Sequence, residues 1–158
     1  MSLYPGYRLL YSKVQKMPVK PESKLWHRLR ASAAAQPFHW TRLESWATPG
    51  VPDVHGMING HAFWLELKIC NNKLRVNLPK LLSPHQIAWQ TAYLQNGGSV
   101  YNLVDRPRSG LLELYAAGYE AIIDNPMLLF SGPSGDFDSL LDQLRSLMID
   151  HRQTMVDG

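Results

Sequence analysis

The dipeptide Asn59-Gly60 constrains the fold of this chain more than any other feature, because it predicts a two-residue turn between two β-strands. Such a turn requires positive φ at both residues, which asparagine and glycine tolerate best. A two-residue loop places Ile58 opposite His61 and so sets the register of both strands. Apolar residues then alternate on one side of the hairpin, namely Val54, Ile58, Phe63, Leu65, Leu67 and Ile69. The sequence therefore predicts strands over 53–58 and 61–69 with one apolar and one polar face.

The polar face of this hairpin brings two acidic side chains together. The register places Asp53 opposite Glu66, with Cβ atoms about 4.5–5.5 Å apart, and Lys68 lies on the same face. Facing carboxylates repel each other unless a cation lies between them, and Mg²⁺ takes carboxylate, water and phosphate oxygens. Lys68 could orient an attacking water or neutralise charge on a phosphate. Each residue alone is typical of a turn or a solvated strand, but the shared register favours a cation site.

The charges of the chain are divided unevenly along its length. Residues 1–80 hold 12 Lys or Arg against 4 Asp or Glu, whereas residues 81–158 hold 4 against 9, so the halves carry +8 and −5. A basic surface on a small domain favours a polyanionic partner, and nucleic acid is the leading candidate. Outside the N-terminal arm over 1–20, we expect Lys24 and Arg28 to contact phosphates, together with three residues of a predicted polar, basic loop over 71–80, namely Lys73, Arg75 and Lys80.

The other elements follow from periodicity and capping signals. Pro21 begins a helix that extends to about Ala35. Residues 38–46, 99–104 and 111–115 are predicted strands, and 118–125 stays ambiguous. Ser83 caps a second helix, which ends at Asn96, and Gln86 completes its capping box. Residues 131–135 are a predicted linker before a terminal helix over 136–150, whose apolar face is a candidate dimer interface.

Several classes of protein are excluded by what the sequence lacks. A single cysteine, Cys70, excludes disulfide frameworks and cysteine-cluster zinc sites. No apolar run resembles a signal peptide or a membrane span, so we expect a cytoplasmic protein with no membrane partner. No Walker or Rossmann glycine pattern is present, so no nucleotide cofactor is expected. The five tryptophans are assigned to the core, and His55 is expected to pack on Trp64.

Three short motifs resemble those of a known enzyme superfamily. Pro52-Asp53, Glu66-Leu67-Lys68 and Leu82-Ser83-Pro84-His85-Gln86 together resemble the PD-(D/E)XK nucleases, in particular the VRR-NUC branch and the archaeal-type Holliday-junction resolvases. The resemblance covers roughly residues 21–104. It implies an α/β, restriction-endonuclease-like core: a helix, a three-stranded antiparallel meander, a helix and a strand, in a mixed sheet flanked by helices. Our element order from periodicity agrees with this core, to which a C-terminal helical extension is added.

The resemblance also implies roles for the residues of the hairpin. Asp53 and Glu66 would bind Mg²⁺ or Mn²⁺, and the carbonyl of Leu67 would be a third ligand. Lys68 would orient or activate the nucleophilic water. The site predicted from the facing carboxylates is therefore also the site that the family resemblance implies.

Four further positions match the family outside the hairpin. Glu22 matches an acidic residue on the first helix that helps to hold the metal through water. Gln86 matches a glutamine near the site, a role that is compatible with its capping box. Arg42 and Ser45 lie where resolvase-like members carry basic and hydroxyl residues near the substrate.

The sequence thus predicts a metal-dependent DNA endonuclease that acts on branched DNA, such as Holliday junctions or flaps, in repair or recombination. We expect a homodimer, because cutting two opposed strands requires two symmetric sites. The predicted organisation is a basic arm over 1–20, a nuclease core over 21–130, and a linker with a C-terminal helix over 131–158. Two alternatives stay open: a nuclease of the same chemistry on ordinary duplex or single strands, and a DNA-binding module that has lost catalysis.

Overall fold

A computed structural model of the chain describes residues 20–44, 47–124 and 126–156. The N-terminal arm up to residue 19 and Ser45 therefore lie outside the described residues. The helices are α1 (Pro21–Ala31), α2 (Leu78–Leu81), α3 (Pro84–Gln95) and α4 (Phe137–Val156), with a 3₁₀ turn (Ala33–Ala35) and a π-helical turn (Glu120–Asp124). The strands are β1 (His39–Arg42), β2 (Val54–Ile58), β3 (His61–Ile69), β4 (Val100–Arg106), β5 (Leu111–Ala116) and β6 (Leu128–Pro133).

The strands form one six-stranded mixed sheet in the order β1-β2-β3-β4-β5-β6. Strands β3 and β4 are parallel, and every other neighbouring pair is antiparallel. The parallel pair needs a crossover connection, which contains α2 and α3. This confirms the α/β class and the predicted order of helix, three-stranded antiparallel meander, helix and strand.

The hairpin has the predicted register. Ile58 pairs with His61 and Val54 with Leu65. Asn59 has φ 48° and Gly60 has φ 76°, the pair of positive values that a tight hairpin turn requires. Every side chain of β2 and β3 therefore lies on the face of the sheet that the sequence predicted.

The main core lies between one face of the sheet and the helices α1 and α4. It contains Leu25, Leu29, Val54, Phe63, Leu65, Leu67, Leu103, Leu112, Leu114, Leu140, Leu141 and Leu144. Helix α1 packs on β3, while α4 packs on β6 and on the 3₁₀ turn. The apolar face of α4 thus packs within its own chain, and the prediction that this face is available as a dimer interface is wrong. Across the described residues, no helix is both long and apolar enough to cross a membrane.

Other differences from the predicted elements have local causes. Ser32 is extended, with ψ 151°, so α1 ends at Ala31 and only a 3₁₀ turn follows. The predicted linker over 131–135 is wrong, because residues 131–133 belong to β6 and pair with β5. Its Ser, Gly and Pro residues resemble a linker, but an edge strand tolerates proline at its end. A short α2 replaces the end of the predicted loop 71–80, and 118–125 contains the π-helical turn.

Candidate active site

A cavity of about 390 Å³ opens beside β3 at the end of β2 that is remote from the hairpin turn. The predicted site residues that line it are Glu22, Arg42, Asp53, Glu66, Leu67, Lys68 and Gln86. They come from α1, β1, the start of β2, β3 and α3, so the sheet and two helices converge on one point. The structure therefore brings together residues that are up to 64 positions apart in the sequence.

Glu66 is the buried centre of this cavity, with only 2% of its surface exposed. Its Oε1 accepts a hydrogen bond from Gln86 Nε2 at 2.8 Å and lies 3.6 Å from Lys68 Nζ. Its Oε2 is buried without a hydrogen-bond partner among the described residues. Burial, followed by the charge of Asp53, raises the pKa of Glu66 from 4.5 to about 8, although Lys68 opposes this shift.

Asp53 is held from both neighbouring strands at the start of β2. Its Oδ2 accepts a hydrogen bond from the Leu67 backbone N–H at 2.9 Å, and its Oδ1 lies 3.6 Å from Arg42 Nη1. The backbone carbonyl of Asp53 also accepts from the Leu43 N–H at 2.8 Å. The side chain of Asp53 keeps 27% of its surface exposed, so its carboxylate faces the cavity opening while that of Glu66 lies beneath.

Gln86 joins the start of α3 to this carboxylate. The backbone N–H of Ser83 donates to Gln86 Oε1 at 2.9 Å, and the Gln86 N–H donates to Ser83 Oγ at 3.2 Å. This confirms the predicted capping box. Because the amide oxygen caps the helix, the amide nitrogen is free to hold Glu66.

The donor set fits a hard divalent cation. Glu66 Oε2 is a buried polar atom without a partner, which is costly unless a further group satisfies it. Asp53 lies beside it, and Mg²⁺ takes oxygen ligands of this kind. Across the described ranges, no three Asp, Glu, His or Cys side chains form a metal-binding group, and Glu22 lines the same cavity as the two carboxylates.

The predicted DNA contacts have different environments. Lys24 on α1 and Lys73, Arg75 and Lys80 after β3 are exposed. Arg28, however, lies with its Nη1 3.4 Å from Asp105 Oδ2 and its guanidinium 5.4 Å from the centre of the Phe137 ring. All five cations are therefore exposed, and Arg28, whose side chain keeps 48% of its surface exposed, also forms an ion pair within the protein. Ser45 is outside the described residues.

A buried ion pair that the sequence analysis missed holds the basic loop. Arg106 Nη1 donates to Glu113 Oε1 at 2.8 Å, and Tyr115 donates a short hydrogen bond to the same carboxylate. Arg106 Nη2 donates to the backbone carbonyls of Asn72 at 3.5 Å and Lys73 at 3.3 Å. The pair links β4 and β5 to the start of the loop. The one signal in the sequence is a charged residue, Glu113, within the otherwise apolar run 111–116.

Two further charged residues line the cavity. Lys20, the last residue of the predicted basic arm, lies immediately before α1, and Glu44, which the sequence analysis missed, follows β1. Glu44 is two residues beyond Arg42, the spacing that places side chains on the same side of an extended chain. That spacing is the one signal that could have identified Glu44.

Gly50 couples the loop before Asp53 to the start of α3, and this predicts the effect of a substitution. Gly50 has φ +87°, and a Cβ atom there would lie 2.2 Å from the backbone oxygen of His85, next to Gln86. We expect Gly50→Ala to destabilise the protein by about 1–3 kcal/mol, because the backbone of α3 has to move. Urea denaturation measures this change, with Gly97→Ala as control, since Gly97 also has positive φ but open space around it. Equal losses in both variants would contradict the close contact.

Comparison with solved structures finds a likeness to Archaeoglobus fulgidus Hjc, a Holliday junction resolvase from an archaeal hyperthermophile. The two chains are 14% identical with a TM-score of 0.46, over 61% of this chain and 73% of that chain. No protein-family model matches the sequence, and no curated protein gives a significant match. Function is therefore inferred from the cavity and from the contacts of its side chains.

Proposed function

We propose that this protein is a metal-dependent DNA endonuclease that hydrolyses phosphodiester bonds. The observation that carries the proposal is the buried Glu66 carboxylate, whose Oε2 has no hydrogen-bond partner among the described residues and which lies beside Asp53 and Lys68. Such a buried oxygen is costly unless a further group, such as a cation, satisfies it. A charged carboxylate pair with an adjacent lysine suits the hydrolysis of a phosphate ester.

Asp53 and Glu66, with the carbonyl of Leu67, would hold Mg²⁺ or Mn²⁺. A cation there supplies Lewis acidity toward the phosphate and lowers the pKa of a bound water. Glu22, across the cavity, would hold a water of the metal shell. Each of these ligands is an oxygen, which suits both cations.

The other polar groups of the cavity orient and balance charge. Lys68 Nζ, 3.6 Å from Glu66, would position the attacking water and neutralise charge that develops on the phosphate. Gln86 fixes the orientation of the Glu66 carboxylate through the 2.8 Å hydrogen bond. Arg42, which lines the cavity with its Nη1 3.6 Å from Asp53 Oδ1, would contact a phosphate next to the one that is cut.

The exposed cations Lys24, Lys73, Arg75 and Lys80 would contact DNA phosphates, together with the basic N-terminal arm and Ser45. Such contacts read the path of the backbone and not the base sequence. This favours recognition of DNA shape, so we propose branched DNA, such as a four-way junction or a flap, as the substrate. A homodimer would place two such sites on the opposed strands of a junction.

A cleavage assay tests this proposal directly. We expect a labelled four-way junction to be cut at least about 100-fold faster in the presence of Mg²⁺ than in its absence. In Mg²⁺, the junction should also be cut faster than a linear duplex of the same sequence. Gel electrophoresis of the products measures both rates. Binding should weaken steeply between low and moderate salt, because each phosphate contact releases counterions.

Three outcomes would contradict parts of the proposal. Equal cleavage of junction and duplex would remove the preference for branched DNA but keep the nuclease. Tight binding without cleavage in any divalent metal would indicate a DNA-binding module. Affinity that barely changes with salt would exclude the proposed phosphate contacts.

A further inference from the structure

A cluster of aromatic rings lies next to the carboxylates on the same face of the sheet. Residues two apart on a strand share a face at a separation of about 7 Å, so His55 follows Asp53 and Trp64 precedes Glu66 on that face. His55 and Trp64 also pair directly across the hairpin. Trp89 lies one helical turn beyond Gln86 on α3. Asp53, Glu66 and Gln86 thus each have an aromatic residue as the next neighbour on the same face. These three aromatic residues lie between the carboxylates and the hairpin turn.

The rings hold one another in fixed planes. Trp64 meets His55 edge to face, with centroids 4.9 Å apart, and meets Trp89 in the same way at 5.5 Å. Trp89 in turn stacks on Tyr93 at 4.8 Å with nearly parallel planes. All four rings are half-buried. The four rings therefore pack against one another and still keep part of their surface accessible to solvent.

These tryptophans differ from those of the core. Trp26 is buried in the main core, and Trp40 packs against it with its indole N–H donating to the Ala35 carbonyl at 3.0 Å. Trp64 and Trp89 belong to neither apolar cluster, and within the described part of the chain neither indole N–H donates a hydrogen bond. Neither indole nitrogen is among the buried atoms without a partner in the described residues, so both N–H groups reach solvent and both rings are accessible to a ligand. The prediction that all five tryptophans are core residues is wrong for these two, and Trp46 lies outside the described residues.

The surroundings show which ligand would fit. Around His55 and Trp64 the sheet face is open, with exposed Thr41, Met57 and Ala62 on the neighbouring positions. The residues that follow His55 and Trp64 on this face away from the turn, Asp53 and Glu66, line the candidate metal cavity, about 7 Å away along each strand. Aromatic rings beside a phosphate site are the means by which proteins hold unpaired bases, because every base has a stacking face.

We infer that Trp64, with His55 and Trp89, is a stacking platform for an unpaired base on a nucleotide next to the phosphate that is cut. The inference rests on the proposed function, because it takes the carboxylate cavity as the phosphate site. Among the proposed branched substrates it favours those, such as a flap, that present an unpaired nucleotide at the cleavage point. A base that stays paired and stacked within a duplex cannot reach a ring on the sheet surface.

A fluorescence assay of DNA binding in EDTA, which removes the divalent metal needed for cleavage, tests the stacking platform. The probe is a short duplex with a single-stranded overhang that carries 2-aminopurine at successive positions, compared with the same blunt duplex. We expect quenching of the base at one overhang position on binding to the parent protein. Trp64→Leu should weaken overhang binding about tenfold and remove the quenching, while blunt-duplex affinity stays unchanged. Tyr119→Leu is the matched control, because it removes an exposed ring elsewhere.

Photocrosslinking gives a result that does not depend on how the variants fold. With 5-iododeoxyuridine at the quenched position, irradiation of the parent complex should link the DNA to Trp64 or Trp89, as peptide mass spectrometry would show. Crosslinks elsewhere only, or equal loss of overhang and blunt-duplex affinity in Trp64→Leu, would overturn the platform. Quenching and crosslinking without cleavage in Mg²⁺ would support the platform and contradict the nuclease. Cleavage without quenching would contradict the platform alone.

Discussion

Replacement of Glu66 by glutamine is expected to reduce Mg²⁺-dependent DNA cleavage by about 1000-fold or more. The substitution keeps the size of the side chain but removes the charge that would hold the cation beside Asp53. A metal ion contributes several kcal/mol of transition-state stabilisation, and each 1.36 kcal/mol corresponds to a tenfold change in rate. Initial rates on a labelled junction, measured with saturating protein, give the loss in the chemical step.

The same variant should retain DNA binding, because the proposed phosphate contacts lie on other residues. Glu113→Gln is the matched control, since Glu113 is also a buried carboxylate but pairs with Arg106 away from the cavity. Its effect should fall on stability and not on the rate of the folded fraction. Cleavage by Glu66→Gln at the rate of the parent would show that the site lies elsewhere.

The stability of the metal-free protein should fall as the pH rises from about 4.5 to about 8. The pKa of Glu66 is about 8 in the folded protein against its ordinary 4.5, so between these values the folded state binds the extra proton. Stability falls with pH wherever the folded state binds more protons, here by about 1.4 kcal/mol per pH unit. Below the window both states are protonated, and above it both are ionised. The contribution of Glu66 therefore changes only within the window.

Urea denaturation of the parent and Glu66→Gln in EDTA, at several pH values, isolates this contribution, because other titrating groups cancel in the difference. The variant should match the parent near pH 5 and become progressively more stable toward pH 8. Added Mg²⁺ should stabilise the parent more at pH 8 than at pH 5, since a ligand has to be deprotonated to bind metal. A difference between the two proteins that does not vary with pH would contradict the raised pKa of Glu66.

The hairpin and the facing carboxylates of Asp53 and Glu66 could be predicted because both follow from a local rule that sets the positions of more distant residues. That Gln86, Glu22 and Arg42 approach them was implied only by the family resemblance. Asn59-Gly60 sets the register, and the period of two along a strand then places Asp53 and Glu66 on one face. The capping box likewise locates Gln86 at the first turn of α3. These rules use backbone geometry alone, so packing elsewhere in the chain does not alter them.

The features that escaped prediction depend on contacts between distant segments. Glu113 and Arg106 meet only because β4 and β5 pair, and Lys73 joins them because its loop folds over the sheet. Residues 131–133 become a strand because β5 offers a free edge, despite a composition typical of linkers. The role of Trp64 outside the core depends on which half of the sheet face α3 covers, which no periodicity reveals.

The two hydrogen bonds of the Gln86 side chain restrict which residue can occupy this position. Glutamate closes a capping box as well as glutamine does, so helix formation alone would allow either. Glutamate has no N–H to offer Glu66, however, and would add a third negative charge beside two carboxylates. Asparagine has the correct groups but is one methylene shorter, so it could not span from Ser83 to Glu66. A requirement for secondary structure and a requirement for chemistry thus meet in one side chain, and together they leave position 86 far less free to vary than either would alone.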